Sequence, residues 1–113
     1  MNKRVAAHFL LVSADRVVRL GGVGADADGR ISEVFSLVDA QYEPANTTFV
    51  DGWIAPFLID VAGLKSDGLP EALLLFARQN GVAITVGNAA TLFNYTVQED
   101  GSVSATSLLP YFV

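Results

Sequence analysis

The spacing of hydrophobic and polar residues predicts a chain made mostly of short β-strands. Residues 5–12 are apolar at nearly every position, which predicts a strand buried on both faces. Residues 30–37 alternate between polar and apolar side chains from Ser32 onward, as a half-buried strand does. Runs rich in β-branched and aromatic residues predict further strands at 16–20, 47–50, 82–86, 91–98 and 103–109.

One segment, residues 70–80, has the spacing of an α-helix. Leu73, Phe76 and Ala77 follow each other at intervals of three and one residues, so they share one face of a helix. Pro70 suits the first turn, and Gly81 suits a helix end. We therefore expect one short helix in an otherwise β-rich chain.

Glycine, proline and aspartate mark the predicted turns and irregular segments. Gly21–Gly24 is expected to form a bulge or the end of a hairpin, and Asp26–Gly29 a tight turn. Residues 41–46, with Pro44, are expected to form a loop. Pro56 confines the apolar run 53–61 to a sheet edge, a bulge or the start of a strand.

These elements together predict one mainly β domain over residues 1–113, a small β-sandwich or roll with one short α-helix. Apolar residues on the predicted inner faces form its expected core. They are Val5, Phe9, Leu11, Val18, Ile31, Val34, Leu37, Phe49, Ile54, Leu58, Leu73, Phe76, Ile84, Val86, Leu92 and Val103.

The composition removes several kinds of chemistry. The chain has one histidine, His8, and no cysteine, which excludes disulfides, cysteine nucleophiles and most zinc sites. A catalytic triad could use only His8 as its base, and its place in an apolar strand favours a structural role. We predict no cofactor.

The net charge of −5 argues against a nucleic-acid partner. Residues 1–20 carry four basic side chains and one acidic one, whereas the rest of the chain carries three basic and eleven acidic. No apolar run approaches the roughly 18 residues that a membrane helix needs, so no membrane partner is expected. A cytoplasmic location is predicted, and a signal peptide over residues 1–14 is the alternative.

Two short motifs are better explained by structure than by ligand binding. Gly21–Gly24 lacks the following helix that a phosphate-binding loop requires. Asp26 and Asp28 lack the later acidic ligands of a calcium loop, since Glu33 stands at the wrong distance. The first segment is expected to form a bulge or the end of a hairpin, and the second a solvated turn.

The C-terminal segment Leu108–Val113 is apolar at nearly every position. Chain ends are usually polar, so this one is expected to dock on its own core or on a partner. Since half of the chain is hydrophobic, at 51%, we also predict a homodimer or a complex with another protein.

Residues 28–60 resemble the N-terminal segment of the amidohydrolase superfamily of metal-dependent hydrolases. The family pattern "DGRI" is matched by Asp28–Ile31, and the pattern "VDGxGxxVxPGFIDxHxH" is approached by residues 50–64. Residues 69–81 and 87–106 resemble the late helix and the last strands of the same enzymes, which include dihydroorotases and cytosine deaminases. The resemblance implies the composite β-sandwich domain of these enzymes without the intervening TIM barrel.

The same resemblance implies that the metal site is absent. Phe57 stands in place of the family glycine, and the two metal-ligand histidines of the pattern fall on Ala62 and Leu64. Neither side chain can bind a metal, so the sequence predicts no metal site and no catalytic residue. The expected function is that of a non-catalytic domain acting in assembly or binding.

Two other functions stay open at the level of sequence. A small-molecule site lined by aromatic residues would use Trp53, Tyr42, Tyr95 and Phe93. A divergent hydrolase of C–N bonds would use Asp51 and Asp60 as acid and base, although no spacing identifies them as a pair.

Overall fold

The computed structural model describes residues 3–38 and 47–112, and within them the chain forms two β-sheets and one α-helix. The strands are β1 Lys3–Ala6, β2 Phe9–Ser13, β3 Arg16–Arg19, β4 Gly21–Ala25, β5 Ile31–Ser36, β6 Thr47–Phe49, β7 Trp53–Ala55, β8 Phe93–Val97 and β9 Val103–Ser107. The helices are α1, Leu69–Asn80, and two 3-10 turns, Ser66–Gly68 and Leu109–Tyr111. The mainly β fold with one short helix is as predicted.

The strands are arranged in a four-stranded sheet, β5-β4-β1-β6, and a five-stranded sheet, β3-β2-β7-β8-β9. Most neighbouring strands are antiparallel, but β1 pairs with β6 and β2 pairs with β7 in parallel. The two sheets enclose one apolar core, to which Val5, Leu10, Val23 and Ile54 each contribute a side chain less than 2% exposed. The fold is therefore a two-layered sandwich with the helix outside it.

At one place in the fold, three bent segments of the chain lie side by side, and each passes from one sheet to the other. The first crosses at Ala7-His8, the second at Leu20 and the third at 50–52, and we call this place the corner. The Leu20 N–H donates to the His8 carbonyl at 2.7 Å, and the Phe9 N–H donates to the Gly52 carbonyl at 3.1 Å. The predicted single strand 5–12 is therefore two strands, because the chain bends at the corner while its side chains stay buried in both sheets.

Helix α1 covers the outer face of the five-stranded sheet. Its buried residues, Leu69, Leu73 and Ala77, form a second apolar cluster with Leu11 and Tyr95 of the sheet. The helix ends at Gly81 in the left-handed conformation, with φ of +60°, as the sequence predicts. The outer face is closed by this helix and by the chain that leads into it from β7.

Three predicted segments differ from the structure. Gly21–Ala25 is a fully buried strand, and only its end is irregular, where the register with β5 shifts between Gly24 and Ala25. A Cβ at Gly21 would lie 2.7 Å from the Leu10 Cβ, so only glycine fits there. Residues 82–86 form no strand: Ile84 is buried and its N–H bonds the Val12 carbonyl, Val82 packs on the second apolar cluster, and no described strand pairs with the segment. The run 53–61 contains only the short strand β7, which is central and ends before Pro56.

Burial confirms eight of the sixteen predicted core positions, and four more are half-buried, namely Val18, Val34, Leu37 and Phe76. Four of the predicted positions are exposed, because each lies on an outer face or outside the strands. They are Phe9, Phe49, Leu58 and Val86. The predicted loop 41–46 lies outside the described residues.

The C-terminal segment docks on its own core in part. Leu108 and Phe112 are buried between the sheets, whereas Leu109 and Tyr111 are 58% and 41% exposed. Among the described residues, no helix is long and apolar enough to cross a membrane. The segment thus contributes both to the core and to an apolar surface.

Candidate functional site

The two positions that the resemblance assigns to metal ligands lie in a surface turn. Ala62 is exposed and Leu64 is half-buried, and the turn is closed by a bond from the Leu64 N–H to the Val61 carbonyl at 3.0 Å. Gly63 between them has φ of +76°. The described part of the chain contains no group of three or more histidine, cysteine or carboxylate residues that could hold a metal ion.

Asp51 and Asp60, the candidate acid and base, have separate local roles. The Asp60 carboxylate accepts the Ala62 N–H at 3.0 Å and so holds the same turn. Asp51 is exposed, and its main-chain carbonyl accepts a bond from the Asn94 amide at 2.7 Å. No described contact joins the two carboxylates, and the hypothesis of a paired acid and base gains no support.

His8 is part of the corner. Its Nδ1 accepts the Gly52 N–H at 3.3 Å, and its ring lies edge-on to Phe49 at 5.1 Å between centroids. Because Nδ1 accepts a hydrogen bond, the neutral ring carries its proton on Nε2. The side chain is exposed at its other edge and has no described carboxylate beside it to orient it as a catalytic base.

The glycine-rich and aspartate-rich motifs are structural. Gly22 lies inside strand β4, where the Phe35 ring fills the space that a Cβ would need. Asp26 closes its turn by accepting the N–H groups of Asp28 and Arg30 at 2.9 and 3.1 Å. These contacts account for the residues without a bound phosphate or calcium ion.

The aromatic residues proposed to line a pocket contribute to the core instead. The Tyr95 side chain is fully buried, and its hydroxyl donates to the Phe57 carbonyl at 2.7 Å and accepts the Ile59 N–H at 2.9 Å. Burial raises the pKa of Tyr95, and the bond from Ile59 opposes part of that rise. Trp53 is 9% exposed, and its ring stacks on the Phe9 ring with 4.8 Å between the ring centroids. Phe93 is half-buried, and Tyr42 lies outside the described residues.

A surface groove that the sequence did not predict lies between the edge strands β3 and β5. It has a volume of about 450 Å³, and its walls include Val17, Val18, Phe35 and the two arginines of β3. Arg16 and Arg19 are both exposed, and neither forms an ion pair with a described carboxylate. The two arginines that flank two valines in β3 were the available signal, but the groove also needs β5 from the other sheet. We call it the edge groove.

The opposite edge of the five-stranded sheet has a different character. Strand β9 is its last strand, and the chain from Gly101 to the C-terminus carries no charged side chain. Along the chain, β9 is followed by the exposed residues Leu109 and Tyr111. We call the surface formed by β9 and residues 109–111 the β9 edge.

Comparison of the chain with known protein families, curated proteins and solved structures finds no match to any of them. The resemblance of residues 28–60 to the amidohydrolases therefore stays a prediction from sequence. The fold and the two surface features described above are the observations from which a function is argued.

Proposed function

We propose that this chain is a non-catalytic β-domain of the amidohydrolase type that acts by assembly, as a homodimer or with another protein. The observation that carries the proposal is the turn at residues 61–64. The resemblance requires two metal-binding histidines there, and the turn presents the methyl group of Ala62 and the apolar side chain of Leu64. A metal-dependent hydrolase without its ligands keeps the fold of its domain but loses the Lewis acid.

The outer face of the five-stranded sheet supports the same proposal. The chain leaves β7 at Ala55, passes through this turn and returns as helix α1 over the sheet before β8 begins at Phe93. The resemblance implies a whole barrel between the segments matched by residues 50–64 and 69–81. Here the turn at 61–64 leads almost directly into helix α1, and binding surfaces are what remain for function.

Metal analysis and an activity assay test this proposal together. Purified protein, incubated with zinc, nickel or iron and then desalted, is expected to retain far less than one metal ion per chain. The double variant Ala62→His/Leu64→His is the comparison, because it restores the two histidines of the family pattern in the same turn. Stoichiometric metal on the unmodified chain, or hydrolysis of amide or imide substrates, would contradict the proposal.

The cytoplasmic location is also a proposal. Strands β1 and β2 occupy residues 3–13 and pair with neighbours on both sides in their sheets. Cleavage after residue 14 would therefore remove a central strand from each sheet. This argues for retention of the segment, and N-terminal sequencing of the protein from its native cells tests it.

A second candidate function is binding of a small apolar anion in the edge groove. Two arginines beside valine and phenylalanine side chains in one groove suit a ligand with a carboxylate or sulfonate and a hydrophobic body. The fluorescent probe anilinonaphthalene sulfonate is such a molecule. We expect saturable binding that weakens at least ~10-fold in Arg16→Gln/Arg19→Gln, equivalent to about 1.4 kcal/mol.

The control for the groove is Lys65→Gln/Arg78→Gln, which removes the same charge from two exposed residues that do not line it. Equal weakening in both double variants would show that only net charge matters. In that case the second candidate function fails.

A further inference from the structure

The two free edges of the five-stranded sheet differ in how well they are protected from pairing with another chain. At β3, Arg16 and Arg19 are both exposed, so antiparallel pairing of two copies along this edge would bring four arginines onto two neighbouring strands. Like charges directly opposite in a sheet are destabilising, and natural edges use them to prevent association. The Ser36 hydroxyl also donates to the Arg19 carbonyl at 3.1 Å, so part of this edge is already bonded.

The β9 edge has no such charge. Hydrogen bonds at both ends of the β8–β9 ladder fix its pattern. At one end the Gln98 N–H donates to the Ser102 carbonyl at 2.8 Å, and at the other the Leu108 N–H donates to the Leu92 carbonyl at 2.9 Å. In an antiparallel ladder, bonded and non-bonded positions alternate, so the even-numbered residues of β9 bond β8. The odd-numbered residues direct their N–H and C=O groups away from the sheet.

The open part of this edge is short and well defined. Lys65 forms a bridge with Ser102, and the Ser66 N–H donates to the Gly101 carbonyl at 3.1 Å, so the start of β9 is covered. Beyond this cover, Ala105 and Ser107 have no neighbouring strand in the described part of the chain. Their two N–H and two C=O groups form a template for one more strand.

The side chains around this template favour a second copy of the same chain as its occupant. Each molecule has a net charge of −5, so two copies repel each other least where both are uncharged. The stretch from Gly101 onward carries no charged side chain, and it includes the exposed apolar residues Leu109 and Tyr111. An uncharged edge with its own apolar extension is self-complementary, as a two-fold interface requires.

We infer that two copies associate through the β9 edge about a two-fold axis at Thr106, joining their five-stranded sheets into one. This inference rests on the proposed function in assembly, and it names the surface through which the two copies bind each other. Ala105 of each copy pairs with Ser107 of the other, which uses all the open groups in about four hydrogen bonds. Thr106 lies opposite Thr106 of the second copy, at roughly 4.5 Å between Cα atoms. So few bonds indicate a weak dimer, with a dissociation constant in the micromolar range.

Charge substitutions at Thr106 test the interface directly. The side chain is exposed, so Thr106→Lys and Thr106→Glu leave the fold intact but place two like charges opposite each other. We expect sedimentation or light scattering over ~5–500 µM to show a dimer for the unmodified chain. Either charged variant should raise the dissociation constant at least ~10-fold. Thr106→Val, which keeps a β-branched side chain, should remain dimeric, and so should the control Thr85→Lys at another exposed threonine.

A backbone variant tests the hydrogen bonds. Ala105→Pro removes an N–H that points away from β8 and should abolish the dimer without unfolding the domain. Val17→Pro removes the equivalent outward N–H at the β3 edge and should leave the dimer intact, with thermal melts checking the fold of both variants. Loss of association in both would indicate pairing of β3 with β9 and overturn the inference.

The remaining outcomes are also decisive. A monomer at all concentrations, or a dimer that survives Thr106→Lys, Thr106→Glu and Ala105→Pro, would overturn the inference. The proposed function is tested by a different result. If the protein binds stoichiometric metal and still dimerises, the proposal of a non-catalytic domain is wrong and the inferred interface is retained.

Discussion

Gly52 is the residue on which the corner depends most directly. Its φ of +81° lies in the left-handed region, and a Cβ there would overlap the Tyr95 carbonyl oxygen. Its N–H bonds the His8 ring and its carbonyl bonds the Phe9 N–H, so it cannot shift without breaking contacts to the first crossing segment. Backbone conformation and close approach thus both require glycine at this position.

Gly52→Ala should therefore be strongly destabilising, by roughly 3 kcal/mol or more, because strain and a backbone clash act together. Gly101→Ala is the matched control: its φ is +84°, but nothing lies within 4 Å of the added Cβ. The control should lose only about 1–2 kcal/mol. Urea unfolding of both variants measures the difference, and equal losses would contradict a role for the Tyr95 contact.

Tyr95 makes the free energy of unfolding depend on pH in the alkaline range. Its folded pKa is raised above the ordinary value of 10.0, chiefly by burial. Below pH 10 the residue is protonated in both states and its contribution to stability is complete. As the pH rises above 10 the unfolded chain loses the proton first, so stability falls by up to ~1.4 kcal/mol per pH unit until the folded pKa is reached.

Tyr95→Phe separates this effect from the lost hydrogen bonds. At pH 8 the variant should be less stable by about 1–3 kcal/mol, because the Phe57 carbonyl and the Ile59 N–H lose their partner. Between pH 10 and 11 the difference should narrow, since the variant has no proton to lose there. Tyr111→Phe controls for hydroxyl loss at an exposed site at pH 8. A constant difference from pH 8 to 11 would contradict the assignment.

Among the elements, those with local signals were predictable from sequence and those defined by distant neighbours were not. Helix α1 has its proline, its apolar stripe and its glycine end within one segment, and its predicted bounds differ from the observed ones by a single residue at the start. Strand β4 was missed because its glycines are required by Leu10 and Phe35, which are distant in sequence. The pattern 82–86 resembles a strand, but no neighbouring strand pairs with it.

At the scale of the whole molecule, the sandwich was predictable and its surfaces were not. The alternation of apolar residues predicts that strands are buried, but it does not say which strands end at an edge. Arg16 in the edge groove and Thr106 on the β9 edge have functional interest only because of the order of strands in the five-stranded sheet. The assignment of Ala62 and Leu64 to the two ligand positions comes from the resemblance alone, by counting along one segment, and it stays a prediction.

The corner also determines how the molecule comes apart. Three chain segments each supply one strand to both sheets, at Ala7-His8, Leu20 and 50–52, so neither sheet can lose its strands while the other keeps them. Local opening would have to break bonds in both layers at once, which joins them into one cooperative unit. The two layers should therefore exchange their amide hydrogens with a common global opening energy, and folding should wait for the distant pairing of β7 with β8.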